Sequence, residues 1–256
     1  APAAKYLLKA GEWIQRYPEV IYAAGASPWG HSLPWGDVTI QSNRLNLVVF
    51  DWPQDGRLFL PGLQTKIKSA GVVTGGKLVP VKWEQRGTWT ELQVPRAPAD
   101  HPASVIQVTL SDAAAAGQTL AIYPNATSTM LVDFAEVTKA EKKELKWMEK
   151  FGEWKHITQA GNWEDGGRAV WTVDVATPGD YQVELTYKGE GRLVWRIESD
   201  GGAKLQNQQN SASVYHTYPF GLLSFPKASK HTLTVSLIDG DRAKASLSAI
   251  RISPVE

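Results

Sequence analysis

The sequence contains no cysteine. Disulfide frameworks and cysteine-based metal sites are therefore excluded. The compartment stays open, because many secreted bacterial proteins also lack cysteine. An excess of one charge sign is also missing. The formal net charge is +1, with basic and acidic residues interspersed, which argues against nucleic acid and against an anionic membrane surface as the main partner. No apolar run approaches the roughly 18 residues of a transmembrane helix. There is no initiating Met and no signal peptide, so the expectation is a mature form or a fragment. The motifs that announce chemistry are absent too: no GxSxG elbow, Walker loop, HExxH or dinucleotide fingerprint. The five histidines, His31, His101, His156, His216 and His231, fall in separate segments, none at ligand spacing from another.

What is present is material for two cores. The chain has 256 residues, 43% of them hydrophobic, and a prior of about 150 residues per domain suggests two domains. Ala3, Leu7, Ala10, Ile14 and Tyr17 recur at three- and four-residue steps, which predicts a helix over 2–17 with one apolar stripe. Pro18 ends it. A lone helix before an all-β chain needs a surface for that stripe, and the expected surface lies outside this chain. Residues 19–35 read as a loop bearing Trp29, His31 and Trp35, either a binding edge or rings that fasten the loop to its own domain. Short strands follow at 37–41, 44–51, 57–60, 64–68, 77–83, 88–94, 104–110 and 119–122, separated by Gly- and Pro-bearing turns. That spacing predicts a sandwich. Within it, Arg44–Leu63 reads as strand, turn and return strand, a hairpin broken at Trp52-Pro53-Gln54-Asp55-Gly56.

Pro124 opens a linker. Lys139 to Lys150 suits a helix on propensity. Alternatively Leu145, Trp147 and Glu149 alternate with Lys146, Met148 and Lys150 into a hairpin turning at Gly152, and Trp154, His156 and Thr158 continue that alternation in its favour. Beyond it the period-two pattern is clear. Ala169, Trp171, Val173 and Val175 share a face, as do Tyr181, Val183, Leu185 and Tyr187, then Leu193, Trp195 and Ile197, then Leu233, Val235 and Leu237, and finally Ile250 and Ile252. Such strands have one face in the core and one in water. The fold class is mainly β: two antiparallel β-sandwich domains, the second jelly-roll-like, after one short N-terminal helix.

Eleven tryptophans stand out; each suits either core packing or the apolar face of a sugar. The most sugar-like cluster is Trp163, Glu164 and Asp165 in one turn with Tyr215, His216 and Tyr218 in another. A ring can stack on pyranose C–H groups while acids and a His accept hydroxyl hydrogen bonds. The competing reading is that the rings plug the sandwich end. Acid pairs such as Glu164/Asp165 suit solvated turns better than the facing carboxyls of glycoside hydrolysis. Asp239-Gly240-Asp241 could offer calcium oxygens, but the rest of a ligand loop is lacking. No catalytic residue, no cofactor and no metal site is assigned.

Two stretches carry a resemblance: GEWIQRYPEVIYAAGASPWG at 11–30 and RLNLVVFDWPQDGRLFLPGL at 44–63. They are similar to the C-terminal region of α-L-fucosidases of glycoside hydrolase family 29, which show a Gly-x-Trp helix, an "NGEAIY" step, a Pro-Trp/Phe-Gly loop and "VFDWPxDGxLxLPGL". The matching positions are Gly11, Trp13, Glu19, Ile21, Tyr22, Pro28, Gly30, Val49 to Pro53, Asp55, Gly56 and Leu60 to Leu63; Tyr17-Pro18 departs, where the family has Asn-Gly. VPRAPADHPASVIQVTL at 94–110 continues the likeness. Residues 168–252 look like the extra β-domain of some bacterial members. The resemblance implies retaining enzymes with an Asp nucleophile and a Glu acid/base in a (β/α)8-like barrel upstream of these residues, so this chain alone is expected to be inactive. It implies residues 1–18 as a helix left from that barrel and 19–123 as the first sandwich, with Trp29, His31 and Trp35 on a barrel-facing loop. Residues 124–150 then form a linker and the next domain's first strand, and 151–256 a second, carbohydrate-binding-module-like sandwich. The implied partners are the fucosidase barrel, in the same polypeptide or a separate chain, and fucosylated glycans; the implied location is periplasmic or extracellular. A stand-alone carbohydrate-binding protein and a purely structural module are the alternatives.

Overall fold

The computed structural model describes residues 2–148 and 154–255. The chain divides into two units, Ala1–Gln118 and Thr119–Glu256.

In the first unit, α1 (Pro2–Arg16) and α2 (Pro18–Ile21) precede β1 (Gly36–Gln41), β2 (Arg44–Val49), β3 (Arg57–Pro61), β4 (Ile67–Thr74), β5 (Lys77–Pro80), β6 (Lys82–Arg86), β7 (Trp89–Gln93) and β8 (Ser104–Leu110). A five-stranded sheet in the order β1-β2-β8-β4-β5 accompanies a three-stranded sheet, β3-β7-β6. This corrects two expectations. Arg44–Leu63 is not a hairpin, because β2 pairs with β1 and β8 while β3 pairs with β7. Trp52-Pro53 breaks the ladder, and the chain crosses from one sheet to the other instead of folding back. Likewise 77–83 is two strands on different sheets, parted at Pro80-Val81.

The apolar groups on both faces of β2 find cover on both, and Leu45 to Val49 are all buried. Val48, with Val73 and Val105, meets Trp13, Tyr17 and Val20. The helices therefore cover the unit's own sheet, contrary to the expectation of an outside partner for the whole stripe. Trp13 Nε1 donates to the Ala103 carbonyl at 2.7 Å, and Thr39 Oγ1 to the Val20 carbonyl at 2.9 Å. Towards the N-terminal end of the helix the apolar side chains of Tyr6, Leu7 and Leu8 are exposed.

At the helix end, Arg16 Nε at 2.9 Å and Tyr17 Oη at 2.8 Å donate to the Asp100 carboxylate. Burial alone would push that carboxyl up; Tyr17, the His101 N–H and Arg16 outweigh it and hold it below its ordinary value. Burial and Asp100 together push the Tyr17 phenol up to about 12.

The second unit contains β9 (Leu120–Ile122), β10 (Ser128–Leu131), β11 (Glu136–Thr138), β12 (Glu141–Met148), β13 (Trp154–Gly161), β14 (Arg168–Val175), β15 (Gly179–Lys188), β16 (Gly191–Ser199), β17 (Lys204–Ser211), β18 (His216–Phe225), β19 (Lys230–Asp239) and β20 (Ser246–Pro254). β12 and β13 pair antiparallel from Glu141↔Gly161 to Met148↔Trp154. The hairpin alternative holds, although Glu149, Lys150 and the turn at Gly152 lie outside the described residues. One sheet runs β12-β13-β20-β15-β18 with β10 on β20; the other runs β11-β14-β19-β16-β17 with β9 parallel to β14. Stripped of the early additions, the last eight strands pair as first-eighth-third-sixth and second-seventh-fourth-fifth, the nesting of a jelly roll. Every residue of the alternating faces read from sequence, from Ala169 to Ile252, is buried in a single core.

Trp13→Ala is expected to destabilise the first unit by about 3–5 kcal/mol, whereas exposed Leu7→Ala should stay within about 0.5 kcal/mol; guanidinium denaturation of both variants checks this. Folding favours the ionised Asp100, so its contribution is complete above the ordinary value of 3.8 and is lost as pH falls through the lower folded value. Asp100→Asn should remove that part of the acid-dependent loss of stability, read by denaturation across pH 2 to 6.

Candidate functional site: the loop end of the second unit

Successive antiparallel strands return to the same end at every second connection. Segments 162–167, 189–190, 212–215 and 240–245 accordingly share one end of the jelly roll. The register confirms it: Lys188 lies opposite Ser246, Tyr187 opposite His216, and Gly191 opposite Ser211. Trp163, Glu164 and Asp165 are in the first of these segments; Tyr215 closes the third, with His216 and Tyr218 starting β18. The two turns singled out in the sequence are thus at one end.

They are joined through rings. Trp163 packs edge-on to Trp195 at 5.3 Å between centroids; Trp195 meets Tyr187 at 5.4 Å, and Tyr187 stacks on Tyr218 at 4.4 Å. Trp163 is 4% exposed, so its ring packs and offers no platform to a ligand. The indole N–H groups of Trp163 and Trp195 and the Tyr187 hydroxyl are buried without a hydrogen-bond partner, and burial raises the Tyr187 phenol well above its usual value. Tyr218 is half-buried, its hydroxyl accepting from the Ala212 N–H at 3.0 Å. His216 and Glu164 are exposed. Asp165 is almost wholly exposed, 3.3 Å from an Arg242 guanidinium nitrogen.

Beside these rings the same end holds a cavity of about 290 Å³, lined by Glu141 and Lys143 of β12, Gln159, Asn162, Lys188 and Ser246 among others. The Tyr215 hydroxyl donates to Gln159 Oε1 at 2.5 Å, and Lys188 Nζ is 5.2 Å from the Tyr215 ring centroid. Burial pushes the Tyr215 phenol up to about 12, against the pull of Ser246. Asn162 Nδ2 donates to Glu141 Oε2 at 2.5 Å, and Lys244, also on the wall, pairs with Glu190. Sequence reasoning named Tyr215 but missed Lys143, Gln159 and Lys188. Their one signal was alternation, which puts them opposite the core-facing residues and so on the outer face. The Asp239-Gly240-Asp241 step lies at this end, but its carboxylates serve the protein: Asp239 accepts from Arg192 at 2.6 Å, and Asp241 from the Ala243 N–H at 3.1 Å.

The opposite end carries an arrangement that sequence did not anticipate. His231 Nδ1 lies 3.0 Å from Asp200 Oδ1, and its Nε2 lies 3.2 Å from Ser229 Oγ. Nε2 is also 3.0 Å from the Lys227 carbonyl oxygen, which only accepts. The array straps two connections together.

In the first unit, Trp29 Nε1 donates to the Pro61 carbonyl at 2.6 Å and Trp35 Nε1 to the Phe59 carbonyl at 3.0 Å. Both rings are buried, and His31 is half-buried, its imidazole pKa lowered by burial against the raising effect of a bond to the Trp29 backbone. These rings fasten the loop to β3 of its own unit.

Among solved structures, the chain is similar to the α-L-fucosidase of Vibrio sp. strain EJY3, with a TM-score of 0.60 and 17% identity over 95% of this chain and 44% of that one. Shorter matches include a GH29 α-L-fucosidase from Bacteroides thetaiotaomicron, with a TM-score of 0.37 and 24% identity over 44% of this chain and 25% of that one. Another is the GH26-CBM35 β-(1,4)-mannanase of Podospora anserina, with a TM-score of 0.40 and 13% identity over 51% of this chain and 28% of that one. No protein-family model and no curated protein matches the sequence. The chain spans less than half the length of the Vibrio enzyme and shares the fold of the matched part.

Trp163→Ala should destabilise the second unit by about 3–5 kcal/mol, as a core truncation does, while Asp165→Ala should change stability by less than about 0.5 kcal/mol. Thermal unfolding of the two variants separates a packing ring from a solvated acid.

Proposed function

We propose that this chain is the β-sandwich portion of an α-L-fucosidase-like glycoside hydrolase. The first unit braces a catalytic barrel, carried on the same polypeptide or on another chain, and the second binds carbohydrate at its loop end. The observation that carries this reading is the Vibrio match, in which 95% of the chain is similar in fold to under half of a fucosidase chain. The stretch from Val49 to Leu63 supports it, since its family-like residues build the crossing between the first unit's sheets. The exposed Tyr6, Leu7 and Leu8 give the barrel an apolar surface to cover. On this reading both catalytic carboxylates belong to the barrel, and the chain works outside the cytoplasm, where complex glycans are met. Carbohydrate binding is supported by the loop-end cavity, where amide and hydroxyl groups stand beside the half-buried Tyr215.

A second reading, a purely structural second unit, is favoured by the burial of Trp163. The two differ in outcome. Carbohydrate binding predicts glycan-array signals that Tyr215→Ala abolishes; a structural module predicts none. The chain alone should not hydrolyse 4-nitrophenyl α-L-fucoside, and hydrolysis by it would sink the assignment of catalysis to a barrel. The coding region upstream of Ala1, or a neighbouring reading frame, should encode a (β/α)8 barrel with two facing carboxylates.

A further inference from the structure

The walls of the loop-end cavity are not electrically balanced. Three lysines, Lys143, Lys188 and Lys244, line it against one carboxylate, Glu141. Lys244 is held by Glu190, and Glu141 accepts from the neutral Asn162 amide, which leaves its charge in place against the two remaining lysines. Among the described residues no carboxylate pairs with Lys143 or Lys188. Backbone register keeps both at the cavity: Lys143 is opposite Gln159 on the β12–β13 hairpin, and Lys188 ends β15 opposite Ser246. Lys188 is further held over the Tyr215 ring, a cation–π contact that orients its ammonium without neutralising it. Between the two lysines stand neutral hydrogen-bonding groups, the Gln159 amide and the Ser246 hydroxyl. A volume of about 290 Å³ lies at the small end of ligand sites and suits one sugar residue better than a chain.

We infer that this cavity takes a saccharide residue bearing an anionic substituent, a carboxylate or a sulfate ester, seated between Lys143 and Lys188. The inference rests on the carbohydrate reading of the second unit and adds the charge of its ligand. Two ammonium groups donate charge-assisted hydrogen bonds to the anion, which are stronger than neutral ones. The Gln159 amide nitrogen, whose partner oxygen already accepts from Tyr215, is left for a ring hydroxyl.

The test is isothermal titration of the full chain with three probes: oligogalacturonate, a sulfated fucose oligosaccharide, and the desulfated form of the latter. Lys143→Gln and Lys188→Gln are compared with Lys204→Gln, a lysine paired with Glu198 away from the cavity, and near-UV circular dichroism confirms that each variant is folded. At least one acidic probe should bind at least about tenfold more tightly than the desulfated one, weaken as salt screens it, and lose about tenfold in each cavity variant but not in Lys204→Gln. Preference between the two acidic probes tells carboxylate from sulfate. Equal binding of the desulfated probe, unchanged in the variants, overturns the inference and leaves the carbohydrate reading standing. Acidic binding that survives both cavity substitutions overturns the site. No binding by any of the three, together with a blank glycan array, removes the carbohydrate reading as well.

Discussion

A buried indole carries one hydrogen-bond donor on a large apolar body, and that donor needs an acceptor once water is gone. Much of the first unit's architecture follows from meeting this need four times. Trp13, Trp29, Trp35 and Trp52 each donate to a main-chain carbonyl, of Ala103, Pro61, Phe59 and Pro95, at 2.6 to 3.0 Å. All four bonds anchor parts of the chain that are not strands: the helix, two points on the loop before β1, and the crossing between the sheets. Two of the acceptors belong to prolines, which cannot donate to a ladder. Gly56 completes the crossing that Trp52 anchors. Its φ of +74°, with the Val94 carbonyl 2.9 Å from where a Cβ would stand, leaves no room for a side chain. These four tryptophans act as fasteners.

The second unit is organised by alternation. Because β13 to β20 run up and down in strict succession, distant turns collect at one end, and polar residues facing away from the core collect on its rim. The unpaired donors of Trp163, Trp195 and Tyr187 are in the ring cluster beneath that rim. That cluster is held together by buried area and ring packing.

Period-two patterning disclosed a little over half of the second core, the faces from Ala169 to Ile252, and missed Phe220, Leu223 and Phe225 of β18. It also favoured the β12–β13 hairpin over a Lys- and Glu-rich helix. What it could not disclose was partnership. A strand's period shows which side chains share a face, not which strand lies beside it, so Arg44–Leu63 passed for a hairpin and 77–83 for a single strand. For the candidate site, sequence disclosed the shared end of the jelly roll and not the cavity beside it. Trp163 and Tyr215 do share an end, but the turn residues rich in aromatic and acidic character were noticed first. The cavity wall is built from plain strand residues such as Lys143 and Gln159, which no motif marks.

β20 comes last in the sequence order of strands, yet it lies in the interior of its sheet, paired with β10, β13 and β15. During synthesis, β13 and β15 emerge with their shared neighbour still inside the ribosome. They must wait, with apolar faces such as Tyr181 to Tyr187 unsheltered, until residues 246–254 clear the exit tunnel. Closing this sheet thus depends on a contact between strands far apart in sequence, the kind of pairing that slows folding.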